Sequence, residues 1–481
     1  MLLNHKIRRL FAMKITNLSR MLVVTPLLLI FGCNSEYKAL EAPKIGHLTG
    51  YSDEKSRALE LESLPILDEK SSLSDYLTYA ALNNPGLEAA FNRWKAALEQ
   101  IPQVKSLPDP RFNYRYYIEP VETRVGAQRQ AFGASQMFPW FGKLNLQGDI
   151  AAQAANAARQ RLEAAKLKLF YQVKDAYYEY YYIQRAISIL EENVQLLQSF
   201  ESVVRTRYQA ASASHPDVIR IQVELGKLED RLKTVEDLQG PVIARLNASL
   251  NRPAETPVPK PAQIEERNVS LTDQEILDMV AQYNPELAAM QAEIDKSKTA
   301  IDLAKKNYYP DVTLGIDVIN TEESTSAVRP RDSGQDAVIA SLSLNIPIWQ
   351  KKLDAAQNQA KYQYFSAMQS RDEMLNNLKA QTKSSLYNFR DGQRKMSLYR
   401  DTLIPKAEES VKAVETSFSA GNNSFTDMID AQRVMLEFEL SYERALADKA
   451  QSLAELEMLA GGQLPSIENS QPSQSVIEQG N

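Results

Sequence analysis

From Met137 to about Tyr208 the chain carries an apolar pattern of helical period, roughly 65 residues long after the junction Phe138-Pro139-Trp140-Phe141-Gly142-Lys143, with one early glycine, Gly148, and no proline. Leu162, Leu169, Ala176, Ile183, Leu190, Leu197 and Val204 recur every seven residues, and Val173, Tyr180, Ile187, Val194 and Tyr208 fill most of a second row beside them. A seven-residue repeat keeps one apolar stripe facing its partners, so the pattern predicts a coiled-coil-like helix. At 1.5 Å per residue it runs about 100 Å, more than three times the ~30 Å hydrocarbon core of a bilayer. A rod of that length is not the interior of a globule.

A second pattern, of period two, occurs in four short stretches. Val312, Leu314, Ile316 and Val318 alternate with Thr313, Gly315, Asp317 and Ile319, and the stretch from Ala337 to Ile346 alternates likewise. Phe112, Tyr114, Tyr116 and Ile118 alternate with Asn113, Arg115, Tyr117 and Glu119, and their partner, near Ala127 to Phe138, is noisier. One apolar face on a two-residue period fits a half-buried soluble sheet or a barrel wall, and the length suits a tilted membrane-crossing strand. Four strands do not close a barrel, and an open edge in lipid leaves backbone groups unpaired at several kcal/mol each. A barrel reading therefore requires copies to pool strands, and three would supply twelve. The aromatics at the strand ends suit an interfacial girdle, and the polar loops expected at 120–126 and 320–335 suit the watery outer side. Pro139 and Pro347, without an amide hydrogen, suit the points where strand becomes helix.

The chain is written twice. Ala81-Leu82-Asn83-Asn84-Pro85-Gly86-Leu87 returns as Ala281-Gln282-Tyr283-Asn284-Pro285-Glu286-Leu287, and Leu107-Pro108-Asp109 as Tyr309-Pro310-Asp311. The junction Phe138 to Lys143 returns as Ile346-Pro347-Ile348-Trp349-Gln350-Lys351, and Tyr208, Asp217, Ile219 and Gln222 as Phe418, Asp427, Ile429 and Gln432. Four matches in one order identify a tandem duplication. Each half predicts a helix of about 35 residues (73–106 and 271–307), two strands, a long helix (143–209 and 351–419), a tight turn and a return helix (215–250 and 424–461). The expected division is a signal at 1–32, an extended arm at 33–70, the first repeat at 71–252, a proline-stiffened linker at 253–268, the second repeat at 269–462 and a polar, disordered tail at 463–481.

Composition narrows the function. A net charge of −6 offers no basic field for nucleic acid. Three histidines, one of them in the signal, build neither a histidine metal cluster nor a triad. No glycine-rich loop with a lysine is present to bind nucleotide, so neither an enzyme nor a cofactor is expected. The many Asp and Glu residues on helices read as solvated faces with i,i+4 partners. Lys14 and Arg20 precede an apolar run from Met21 to Ile30 that ends in Phe31-Gly32-Cys33. This is an export signal too short to anchor a helix in a membrane. Its end resembles a bacterial lipobox, which would make Cys33 the lipid-bearing first residue.

The duplicated Asn-Pro-x-Leu, the Pro-Asp before each first strand and the Phe-Pro-Trp-Phe-Gly-Lys junction together resemble the TolC-like outer membrane efflux proteins, over about residues 73–461. The resemblance implies a mainly α fold with a transmembrane β-barrel portion, as a homotrimer: a twelve-stranded barrel in the outer membrane of a Gram-negative bacterium, continuing into a helical tunnel across the periplasm. It implies docking to a periplasmic adaptor and an inner-membrane pump. It places the barrel–tunnel junction at Pro139, Trp140, Gly142, Pro347 and Trp349, the pore gate at Phe418, Asn423, Asp427 and Asp430, and the periplasmic tip at Asp217 and Gly421. Asn423 stands where some relatives carry a latching arginine, which leaves hydrogen bonds to hold the closed state. Asp427 also reads as a helix N-terminal charge complementing the dipole, and Asp217 as a cap. The competing reading is a soluble or inner-membrane-associated periplasmic coiled-coil adaptor without a pore.

Overall fold

A computed structural model describes residues 64–419 and 424–467. The signal, Cys33, most of the arm, Gly421 and Asn423 lie outside the described residues. The first half comprises α1 (Leu73–Asn83), α2 (Pro85–Lys105), β1 (Arg111–Thr123), β2 (Gly126–Phe138), α3 (Lys143–Gln209) and α4 (His215–Ser249). After β3 (Asn268–Val269), the second half has α5 (Asp273–Tyr283), α6 (Pro285–Lys306), β4 (Val312–Thr321), β5 (Ala337–Leu344) and α7 (Gln350–Leu398). It closes with a π-helical turn (Tyr399–Leu403), α8 (Ile404–Ser419), α9 (Phe425–Leu459) and β6 (Ser466–Ile467).

Several expectations change in detail. The first helix of each half, expected unbroken, is two helices split at Asn-Pro. Proline excludes the residue before it from helical geometry, and Asn84 and Asn284 accordingly sit at ψ 118° and 122°. The side chain then works at two helix ends. Asn84 Oδ1 accepts from the amides of Gly86 (2.9 Å) and Leu87 (3.1 Å) to start α2, while its Nδ2 donates to the Ser249 carbonyl at the end of α4 (3.0 Å). Asn284 does the same for α6, and its Nδ2 donates to the Leu459 carbonyl that ends α9 (2.9 Å).

The second long helix, expected continuous from 351 to 419, widens into the π turn. There Ile404 N–H bonds back to Tyr399, immediately before Pro405, whose missing amide would break an α-helical ladder. The loop expected at 120–126 shrinks to the turn Arg124-Val125, because β1 runs on through Pro120 with a register shift between Tyr116 and Val121. Proline is tolerated there because β1 is an edge strand.

The seam of α3 is buried as its period requires. Leu162, Leu169, Val173, Ala176 and Tyr180 join Tyr76, Leu87, Trp94, Leu246 and Leu250 in one cluster, and further along the helix Leu190 and Val194 meet Leu228, Leu436 and Leu440. Each of these leucines and valines contributes about 1.5–3 kcal/mol by leaving water. The proline-rich linker lies along the same helix, with Tyr180 Oη donating to the Val258 carbonyl (3.0 Å) and Ala262 N–H donating to Tyr177 Oη (3.0 Å). The start of the polar tail is likewise ordered, since Leu464 is buried and β6 pairs with β3.

The four long strands form one antiparallel sheet in the order β1-β2-β4-β5. Register collects the apolar positions on one face: Tyr114, Phe132, Val318 and Val338 form one row, Phe112, Ala134, Ile316 and Ala340 the next. The other face is mostly small and polar, with Asn113, Gly133, Ser135, Ser341 and Ser343 alongside Ile319 and Ile339. There Arg115 reaches over Gly133 to Asp317 at 2.8 Å, and a Cβ on Gly133 would collide with that carboxylate. Both hairpins share one register: Phe112 faces Ala134 as Leu314 faces Leu342, and Arg111 faces Ser135 as Thr313 faces Ser343. The duplication therefore extends to the pairing of individual residues.

Candidate functional site

At the sheet end of α3 the chain turns sharply from strand to helix. Gly142 makes the turn at φ 84°, a left-handed conformation that glycine adopts without cost, and serves as the N-cap of α3. Just before it Trp140 stacks on Tyr309, the ring planes 12° apart and the centroids 5.2 Å apart. The nearly buried Lys143 donates to Asp311 Oδ1 at 2.8 Å, and Trp140 N–H donates to the same oxygen at 2.8 Å. Asn345 Nδ2 donates to Asp311 Oδ2 at 3.3 Å, and Asp311 N–H donates back to Asn345. Burial alone would raise the Asp311 carboxyl, but the Lys143 ammonium and the Trp140 amide outweigh it and hold the group below the usual carboxylate range. One carboxylate thus ties the first half's Phe-Pro-Trp-Phe-Gly-Lys to the second half's Pro-Asp. Both motifs are visible in the sequence, but their pairing across halves is not. The second junction is bare by comparison: Pro347 is half-buried, and Trp349, the N-cap residue of α7, is 73% exposed.

At the opposite end of α3, two capping boxes start the return helices. Asp217 Oδ2 accepts from the Ser214 hydroxyl (2.6 Å) and amide (3.1 Å), and Asp427 Oδ2 accepts from the Ser424 hydroxyl (2.8 Å) and amide (3.1 Å). Asp427 and Asp430 are both exposed. Asp430 pairs with Arg433 at 3.1 Å, and Arg433 also reaches Glu224 on α4 at 3.2 Å. Phe418 packs on an apolar cluster of Val204, Val218, Ile221, Phe425, Met428 and Ile429, with the Arg207 guanidinium 4.3 Å above its ring. Arg220 donates to Thr426 Oγ1. These contacts join the ends of the two halves. The two caps and the Arg433 partner of Asp430 follow from i,i+3 spacing, while the contacts between the halves carry no local sequence signal.

Between the ends, some of the carboxylates expected on solvated faces are buried. Glu457 takes Lys174 at 2.5 Å and Arg267 at 3.0 Å, Glu443 takes Arg185 at 2.8 Å, and Arg444 lies between Glu179 (2.8 Å) and Asp448 (2.6 Å). Burial pushes the Lys449 ammonium down, and its Nζ donates to Asn268 Oδ1 at 2.8 Å. The pairs made by Lys174, Glu179 and Arg185 lock α3 of one half to α9 of the other. No group of three or more His, Cys, Asp or Glu among the described residues is placed to hold a metal ion.

The model of the family described as outer membrane efflux protein matches residues 77–251 and 276–462. The cobalt-zinc-cadmium resistance protein CzcC of Cupriavidus metallidurans is 20% identical over 411 residues, covering 81% of this chain and 90% of that protein. Among solved structures, CusC, described as forming a transmembrane channel, superposes with a TM-score of 0.69 at 14% identity, over 81% of this chain and 92% of that one. The outer membrane protein VceC of Vibrio cholerae superposes with a TM-score of 0.67 at 15% identity, over 81% and 96% of the two chains.

Proposed function

The chain belongs to the outer membrane efflux protein family, and from that premise we propose that it is the outer membrane channel of a tripartite efflux system, working as a homotrimer with a periplasmic adaptor and an inner-membrane pump. The observation that carries the proposal is the sheet. Four strands with a largely apolar face end in two edges unpaired among the described residues, and Phe112, Tyr114, Ile118, Val338 and Leu342 on the outermost strands are each more than half exposed. Lipid covers such a face, and only closure with further copies satisfies such edges. Three copies make a twelve-stranded barrel, and the long helices of each then line a tunnel on the periplasmic side. An adaptor without a pore has no use for this sheet.

Cys33 carries the lipid anchor in this reading, which also takes the chain as an arm, two repeats joined by a linker, and a tail. Asp427 and Asp430, repeated three times, ring the periplasmic constriction, where clustered carboxylates favour cations and disfavour anions. Their exposure at one helix start supports that role. The test is fractionation and reconstitution. The chain is expected in detergent-extracted outer membrane as a stable trimer that gives discrete conductance steps in a planar bilayer. A monomer washed from the membrane by salt, with no conductance, would leave the adaptor reading in place. Screening a deletion strain against metals, detergents and antibiotics identifies the cargo.

A further inference from the structure

The two junctions of one chain are unequal. Asp311 is held by Lys143 and by the Trp140 amide. Its counterpart Asp109, and Lys351, the counterpart of Lys143, are both exposed and make no ion pair or side-chain hydrogen bond among the described residues. The apolar parts follow suit: Trp140 stacks on Tyr309, whereas their counterparts Ile348 and Leu107 are 63% and 46% exposed. Further down, Ala157 of α3 is fully buried while Phe365, the matching residue of α7, is 54% exposed. One surface of the first half and one of the second meet inside the chain; the equivalent pair of surfaces is left over, one on each flank.

We propose that neighbouring copies of the chain complete the second junction: Asp109 of one copy receives Lys351 of the next, Ile348 covers Leu107, and β5 pairs with β1 in the register that joins β2 to β4 within the chain. This rests on the channel reading, since it needs a ring of copies, but adds the residues that close it. The register follows by carrying each in-chain pair to its repeat counterparts. Gln136 opposite Leu314 becomes Leu344 opposite Phe112, Ser135 opposite Gly315 becomes Ser343 opposite Asn113, and Ala134 opposite Ile316 becomes Leu342 opposite Tyr114. Phe132 opposite Val318 becomes Ala340 opposite Tyr116. Each of these four pairs puts apolar beside apolar on the lipid face or polar beside polar on the lumen face. A slip of one residue would set Phe112 and Tyr114 beside the lumen-facing residues of β5, so the pleat excludes it, and the cysteine pairs below distinguish the transferred register from a slip of two. The occupant is a second copy because the two leftover surfaces are the counterparts of two that already fit. The join is head-to-tail, and repeating one such rotation closes a ring.

Disulfide trapping in the full-length chain reads the register. Directly opposed Cα atoms in an antiparallel pair stand about 4.5–5.5 Å apart, within reach of a disulfide. Asn113→Cys/Ser343→Cys is therefore expected to give a covalent, reductant-sensitive trimer on a denaturing gel. Asn113→Cys/Ser341→Cys, displaced by two residues, gives monomer, and the single-cysteine variants read any background from Cys33. For the ion pair, Asp109→Lys lowers the temperature at which the unheated trimer dissociates in SDS, and Asp109→Lys/Lys351→Asp restores it. A trimeric unsubstituted chain whose variants cross-link only in the displaced pair, or whose charge swap fails to restore the trimer, overturns this register and clasp and leaves the channel reading standing. An unsubstituted chain that is monomeric in detergent overturns the channel reading as well.

Discussion

Asn284 shows how much one side chain in a short motif can be asked to do. It starts α6 with its oxygen and ends α9 with its nitrogen while only 4% exposed. Replacing it by alanine removes an N-cap worth about 1 kcal/mol and strands a buried carbonyl at about 1–3 kcal/mol. Asn84 makes the same bonds in a half-buried setting. Asn284→Ala is therefore expected to lower the thermal midpoint, followed by far-ultraviolet circular dichroism in detergent, by more than Asn84→Ala does; equal losses would contradict a role for burial. At the helix starts of the tip the question is charge. Asp427→Asn/Asp430→Asn keeps side chains able to accept the Ser424 bonds but removes two negative charges per copy, so the permeability ratio of cations to anions in single-channel recordings should fall. Unchanged selectivity and conductance in that variant would remove the ring assignment and leave Asp427 a capping residue only.

Among the elements, long helices were the easiest to read. The junction before Lys143 and the turn after Gln209 bound α3 where it is observed, and the seven-residue rows between them mark it as one long buried stripe that leaves little freedom in the sequence. The Asn-Pro breaks were harder, since proline fits the first turn of a helix and the apolar period runs on past it. The π turn before Pro405 and the two-residue hairpin turn were missed for a related reason: both arise from how a proline is accommodated in three dimensions. The junction between strand and helix is expected to weaken in acid. Asp311 lies one residue outside β4 with its carboxyl held below the ordinary value of about 3.9. Its contribution is therefore fully present above roughly pH 4 and disappears as pH falls through the lowered folded-state value. Asp311→Asn should thus be less stable than the unsubstituted protein at pH 7, by about 1.5–3 kcal/mol for a hydrogen bond to a charged group. The gap should narrow on acidification to pH 2–3; a gap independent of pH would assign the loss to packing.

For the molecule as a whole, the repeat told which pieces exist twice but not how the two sets interlock. The ion pairs between α3 and α9 join residues as far apart as Lys174 and Glu457, and no local period marks such partners. Nor did spacing reveal that Pro-Asp of one half answers Gly-Lys of the other, although each motif was legible alone. The shared register of the two hairpins carries a further consequence for ancestry. A gene half as long would encode a subunit that builds the same ring from six molecules, and fusing two of them halves the number of separate encounters assembly demands. After fusion one seam is tethered and the other must be found by diffusion in the membrane plane, so selection acts on them differently. The stacked Trp140 and Tyr309 at the first, against their aliphatic counterparts Ile348 and Leu107 at the second, are the kind of divergence that difference allows.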